Sequence, residues 1–209
     1  MIKVFFLIFE PGVAWDKIAQ ARRGLVFITG LQLLPLILLG SALETWGLLR
    51  HGKWQPKFQM FKVFPEPDIY NYEIIQFCLL LAVVFVSALL VFKISQTFQD
   101  RLNFLQVFTT VAFGFTPMFL VRFLDASASM NPLVPWLIGV ALMMWILYQG
   151  IPRVMQPDPT HAFGVYLSTV IVVVLTSGLA RLITAMYLLG QMNFQHSWLS
   201  NKITHLLGH

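Results

Sequence analysis

Charged residues divide this chain into long apolar stretches. Five uncharged runs of 20, 19, 20, 27 and 22 residues lie between one charged residue and the next. About 20 apolar residues cross the hydrocarbon core of a bilayer as an α-helix. Because the bilayer offers the backbone no water, runs of this length are stable there only as helices. The pattern predicts an all-α, polytopic membrane protein, a compact bundle of five transmembrane helices at about 24–43, 74–95, 103–124, 133–151 and 163–189.

The composition supports a membrane protein. The chain has 209 residues, of which 57% are hydrophobic and 11% charged, whereas about 25% are charged in a typical soluble domain. The helices define a membrane domain at 24–190, with an N-terminal interfacial segment at 1–23 and a C-terminal tail at 191–209. Segment 1–23 has no small-residue cleavage site, so we expect it to be retained. It is either a short helix lying among the headgroups or an ordinary flank of the first helix.

The net charge of +5 is explained by membrane topology. The basic residues lie at helix ends, so we expect no nucleic-acid partner. Seven basic residues fall on each side of the predicted bundle, and the Arg22-Arg23 pair beside the first helix favours a cytoplasmic N-terminus. Loop 44–73 mixes basic and aromatic residues. This composition suits a membrane interface better than single-stranded nucleic acid.

The third predicted helix carries the most informative polar pattern. Its polar, small and proline positions are spaced by 3, 4, 4 and 3 residues, which places them on one helix face. Thr110 and Gly114 form a small-xxx-small pair that lets a neighbouring helix approach closely. Pro117 cannot donate to the carbonyl of Phe113, so it should bend the helix. The face is either a packing surface or a pathway and hinge, and its members are Asn103, Gln106, Thr110, Gly114 and Pro117.

Two arginines lie in or near predicted helices. Arg122 can pair with Asp125 three residues on, or reach the headgroups as an interfacial anchor. Arg181 follows the start of the fifth helix by nineteen residues, which places it roughly 28 Å along. An arginine buried in a membrane needs a partner, and Asp125 and Glu44 are the candidates at a similar depth. The alternative is that Arg181 binds a substrate or a lipid headgroup.

The sequence shows no catalytic constellation, and we expect neither a cofactor nor a metal. It has no phosphate-binding loop, no HExxH and no G-x-S-x-G motif. Asp158 and His161 are too few for a zinc site, so Asp158 is interpreted as a helix cap. The single cysteine, Cys78, cannot form an internal disulfide.

Three stretches resemble the Yip1 domain family. They are Pro11-x-x-x-Trp15-x-x-Ile18, then QDRLNFLQVFTTVAFGFTPMFL at 99–120, and PWLIGVALMMWILYQGIPRVM at 135–155. The resemblance implies five helices and a cytoplasmic N-terminus. Eukaryotic relatives are adaptors that associate with small GTPases in vesicle traffic. This chain departs from them, since it has neither their long polar N-terminal region nor their Asp-Leu-Tyr-Gly-Pro segment, and is closer to the short bacterial members.

Two functions are compatible with these observations. The first is a non-enzymatic scaffold or adaptor in a bacterial plasma membrane, which contacts lipids and a membrane or peripheral protein partner. Self-association is left open. The second is a small transporter or lipid-handling subunit, whose polar path is lined by the third helix and Arg181. The first predicts tight packing of the third helix, and the second predicts a groove bordered by Asn103, Gln106, Pro117 and Arg181.

Overall fold

The predicted fold class is confirmed by the computed structural model of the chain. The structure describes residues 7, 9–21, 23–55, 59–97, 102–127 and 129–188. Within these residues, five helices are long and apolar enough to cross a membrane, and a shorter helix precedes them. In chain order the six are α1 (Pro11–Ala21), α2 (Leu25–His51), α3 (Glu66–Thr97), α4 (Phe104–Ala126), α5 (Leu133–Met155) and α6 (Ala162–Leu188).

The region predicted as loop 44–73 is mostly helical. Helix α2 continues to His51 and α3 begins at Glu66, so that prediction is wrong in extent. Between them lies an antiparallel hairpin of two short strands, β1 (Lys53–Gln55) and β2 (Met60–Lys62), in which Lys53 is paired with Lys62. The charges at Glu44 and Glu73 do not end the helices, because both side chains are buried inside the bundle. The tail predicted at 191–209 lies outside the described residues.

Helix α4 occupies the centre of the bundle. In its most apolar 18-residue stretch 78% of the residues are buried, against 28–44% in the other four spanning helices. It packs against α2, α3 and α5, while α6 lies against α3 and α5. Its buried face contributes three aromatic side chains to the core, which are Phe108, Phe115 and Phe119.

Three of the spanning helices contain an irregular turn close to a proline. Helix α2 has a π-helical turn at Thr29–Leu33, and α5 ends in another at Ile151–Met155. Helix α4 is interrupted at Phe115, two residues before Pro117. The missing amide of Pro117, from which the sequence predicted a bend, accounts for this interruption.

Helix α1 is docked onto the bundle. Trp15 is fully buried, and its Nε1 donates a hydrogen bond to the carbonyl of Ile146 at 3.0 Å. Gly150 allows this contact, because a Cβ there would lie 2.4 Å from the indole ring. The N-terminal helix therefore packs on α5 through a buried aromatic anchor.

Candidate functional site: a buried charge network at one end of the bundle

Six ionisable side chains are buried together at the end of the bundle that carries the β-hairpin, here called the hairpin end. Each is at most 8% exposed. Three are acidic and three basic, so their formal charges cancel when all are ionised. This charge network consists of Glu44, Lys53, Glu73, Arg122, Asp125 and Arg181.

Glu44 is the centre of the first half of the network. Its carboxylate is fully buried and accepts three hydrogen bonds from three different side chains. Arg122 Nη2 donates at 2.5 Å, Tyr72 Oη at 2.9 Å and Gln76 Nε2 at 3.0 Å. A second carboxylate, that of Glu73, lies 3.9 Å from Arg122 Nη2. The network thus joins α2, α3 and α4 through one carboxylate.

Two glycines of α2 make room for this arrangement. Gly40, Glu44 and Gly47 are spaced by 4 and 3 residues and so share one helix face. A Cβ at Gly47 would lie 2.5 Å from the carbonyl oxygen of Ala126, and one at Gly40 would lie 3.4 Å from Arg122 Nη1. The backbone of α4 therefore approaches α2 closely enough for Arg122 to reach Glu44.

The expectation that Arg122 is an interfacial anchor, or pairs with Asp125, is wrong. The residue is only 5% exposed, and its ion pairs are with Glu44 and Glu73. Local pairing across one helical turn is worth only a few tenths of a kcal/mol. A fully buried carboxylate on the neighbouring helix is the stronger partner, because both charges need compensation there.

Arg181 organises the second half of the network. It forms an ion pair with Asp125, one of the two partners named from the sequence. Its Nε also donates to the carbonyl of Pro132 at 2.8 Å. These bonds tie α6 to the connection between α4 and α5. Arg181 therefore has a structural partner within the protein.

Lys53 is the member of the charge network that lies on the hairpin. Its Nζ donates to the carbonyls of Asp125 at 3.0 Å and Ser127 at 2.8 Å. Burial lowers the pKa of the Lys53 ammonium, because the charged form loses its hydration, and the attraction of Asp125 opposes this only in part. On the same strand, Gln55 donates to the carbonyl of Leu188 at the end of α6. The hairpin thus caps both α4 and α6.

A small cavity lies beneath the network, between α3, α4, α5 and α6. Gln76, Arg122, Asp125 and Arg181 form its polar end, and mainly apolar side chains such as Phe115 line the rest. It has about 40 Å³ of space for the centres of water molecules, which is room for about three waters. A cavity of this size is too small for a lipid.

A family model for the Yip1 domain matches residues 5–182 of the chain, which includes every member of the charge network. The chain belongs to the Yip1 domain family. Comparison with curated proteins returned no significant match, and neither did comparison with solved structures. The family resemblance carried by the sequence motifs is therefore confirmed, and the protein is a multi-pass integral membrane protein.

In this Yip1 domain, the residues of the predicted polar face do not belong to the charge network. Asn103 and Gln106 form a reciprocal cap at the start of α4, at the opposite end of the bundle. Thr110 is fully buried and donates to the carbonyl of Gln106 at 2.9 Å. At Gly114 a Cβ would lie 2.6 Å from Leu147 Cδ2, so α5 packs directly on this position. Arg181 lines the cavity beneath the charge network, whereas Asn103 and Gln106 line a different cavity.

Sequence reasoning did not single out Lys53, Glu73, Tyr72 or Gln76 as members of a site. Their signal is weak, because acidic and basic residues near helix ends are expected in any membrane protein.

Among the described residues no group of three or more His, Cys, Asp or Glu could hold a metal ion. Asp158 accepts hydrogen bonds from the amide and hydroxyl of Thr160 in the turn before α6. These bonds lower the pKa of the Asp158 carboxyl.

Proposed function

We propose that this Yip1-family protein is a non-enzymatic membrane scaffold or adaptor that holds partner proteins at a bacterial plasma membrane, with its N-terminus in the cytoplasm. The observation that carries the proposal is the closed middle of the bundle. Between the polar ends, α4 contributes the fully buried apolar side chains of Val107 and Phe108, and Met143 of α5 is fully buried as well. A transporter needs polar or hydrated positions along such a path.

The few polar groups in the middle of the bundle support the same proposal. Gln32 donates to Thr116 at 3.2 Å, which links the π-turn of α2 to the break in α4. Ser87 and Thr176 are hydrogen-bonded at 2.7 Å between α3 and α6. Each contact joins two helices rather than lining a channel. Interhelical bonds of this kind contribute about 0.6 kcal/mol each to packing.

A cysteine-accessibility experiment tests the proposal. Cys78 is replaced by Ala, single cysteines are placed at Asn103, Thr110 and Glu66, and a membrane-impermeant thiol reagent is added to intact cells or inverted vesicles. We expect labelling at Asn103 only in inverted vesicles and at Glu66 only in intact cells. We expect none at Thr110. Labelling at Thr110 would place water in the bundle and favour the transporter, and reversed labelling of the two ends would refute the orientation.

The partner-binding half of the proposal needs its own measurement. The intact protein, extracted in a mild detergent, should co-purify with one protein in fixed stoichiometry after crosslinking in the membrane. A variant that unfolds the bundle serves as the control for non-specific capture. A protein that remains uncomplexed in the membrane, with no reproducible crosslink, would contradict the adaptor role.

A further inference from the structure

The end of the bundle opposite the hairpin, here called the α1 end, carries a second and much larger cavity. This α1-end cleft lies between α1, the start of α2, the start of α4 and the final turn of α5. It has about 340 Å³ of space for the centres of water molecules, against about 40 Å³ beneath the charge network. Polar and apolar side chains contribute to its wall, among them Ile18, Arg23, Asn103, Gln106, Arg153 and Val154.

Two arginines give the cleft a positive charge. Arg23 is half-buried and lies over the ring of Phe27, with 4.5 Å from its Cζ to the ring centroid. Arg153 donates from Nη1 to the carbonyl of Gln149, and its Nε lies 3.3 Å from Asp16 Oδ1. Asp16 is on the outer side of this pair, 58% exposed, and does not line the cleft. No carboxylate is present among the described residues that line it.

The start of α4 contributes side chains rather than free amides to this wall. Asn103 accepts a hydrogen bond from the amide of Leu105, and Gln106 accepts one from the amide of Asn103. These amides of the first turn are therefore already bonded. The attraction for an anion comes from the arginine side chains, whose guanidinium groups bind phosphate oxygens in a bidentate manner.

We propose that the α1-end cleft binds the phosphate of an anionic phospholipid headgroup. The cleft lies where the spanning helices α2, α4 and α6 begin, which is headgroup depth in a bilayer. Its arginines face the phosphate. The side-chain NH2 groups of Asn103 and Gln106 can donate hydrogen bonds to the glycerol and ester oxygens. Ile18 and Val154 offer apolar surface to the first methylenes of the acyl chains. The basic, polar and apolar side chains of the wall thus match the phosphate, the glycerol esters and the first methylenes of a phospholipid.

Native mass spectrometry of the full-length protein in detergent micelles tests this proposal. The protein is titrated with phosphatidylglycerol, with phosphatidylcholine of the same acyl chains, and with inorganic phosphate. We expect phosphatidylglycerol to bind more tightly than phosphatidylcholine. A basic residue near a membrane surface changes lipid affinity about fivefold, so Arg23→Gln and Arg153→Gln should each weaken phosphatidylglycerol binding about fivefold, and together about 25-fold.

Two matched variants separate charge from folding. Lys93→Gln removes an exposed cation at the same end that does not line the cleft, and it should leave binding unchanged. Asp16→Asn breaks the ion pair of Arg153 but keeps the arginine, so binding should stay the same or tighten. If Asp16→Asn weakens binding as much as Arg153→Gln, Arg153 acts only by docking α1 and the proposal fails. It also fails if inorganic phosphate binds while phosphatidylglycerol has no advantage over phosphatidylcholine, which would indicate a site for free phosphate.

Discussion

Replacing Glu44 by Ala is the sharpest test of the charge network. The carboxylate accepts hydrogen bonds from Arg122, Tyr72 and Gln76, and all three donors are buried. Without it, the guanidinium of Arg122 would be left with Glu73 at 3.9 Å as its remaining carboxylate. Removing one partner of a buried ion pair costs about 3–5 kcal/mol, because the other charge stays buried without compensation. We expect a loss of about this size in the free energy of unfolding.

A double-mutant cycle isolates the contribution of the pair. Glu44→Ala, Arg122→Ala and the double variant are unfolded in mixed micelles by titration with a denaturing detergent, and helix content is followed by circular dichroism. Residues in direct contact show coupling energies of about 0.5–3 kcal/mol. We expect the double variant to be more stable than the sum of the single losses by about 2 kcal/mol. Once both charges are gone, neither is left buried alone.

The control is Glu66→Ala, which removes an exposed carboxylate at the same end of the bundle. It should cost less than about 1 kcal/mol, as exposed ion pairs and helix-end charges usually do. The reasoning is refuted if Glu44→Ala costs no more than Glu66→Ala. It is also refuted if the cycle is additive, since water or lipid would then compensate Arg122 without Glu44.

Three further predictions concern packing, docking and pH. Gly47→Ala should destabilise the protein by about 1–3 kcal/mol, because the new Cβ would lie 2.5 Å from the carbonyl oxygen of Ala126; thermal unfolding in micelles measures this. Trp15→Phe should cost about 1 kcal/mol in the same assay, because it removes the hydrogen bond from Nε1 to α5. The stabilising effect of Lys53 relative to Lys53→Met should rise with pH. The pKa of Lys53 is lowered in the folded state, whereas its unfolded value is about 10.4. At pH values between the two, the unfolded state binds more protons than the folded state, so the free energy of unfolding rises with pH. Unfolding free energies at neutral and alkaline pH give this difference.

The glycine prediction has a matched comparison, and each of the other two has an outcome that would contradict it. Gly30 lies on the same helix as Gly47, and nothing is within 4 Å of a Cβ placed there, so Gly30→Ala should be close to neutral. Equal losses at the two glycines would rule out close packing as the cause. An unchanged stability for Trp15→Phe would show that the hydrogen bond contributes nothing. A Lys53 effect that falls as pH rises would mean that its ammonium is better solvated folded than unfolded.

The spacing of charges predicted the number and order of the spanning helices, because the bilayer imposes a length of about 20 residues on each. It misplaced the ends of the first two. A charge was taken to mark the end of a helix, yet Glu44 and Glu73 are buried members of α2 and α3. A buried charge is tolerated only where a partner neutralises it. That partner lies on another helix, so the spacing along one helix does not reveal it.

The partners of the two arginines show the same limit. Asp125 was one of two partners named for Arg181, because both lie near the same depth, and depth follows from counting residues along each helix. For Arg122 the expected partners were the lipid headgroups or the nearby Asp125, although Glu44 is its partner. The choice depends on the close approach of α4 to α2 at Gly40 and Gly47. Small residues on a face indicate that some helix packs there, but they do not specify which one.

The two ends of the bundle differ in a way that bears on recognition. At the hairpin end three acidic and three basic side chains are buried together, and their formal charges cancel when all six are ionised. At the α1 end Arg23 and Arg153 border an open cleft in which the described wall has no carboxylate. Arg153 is paired there with Asp16, so the two arginines are opposed by one carboxylate, and the described wall of the cleft keeps a positive charge that attracts an anion. The hairpin end instead joins α2, α3, α4 and α6 through buried ion pairs, which hold these four helices together.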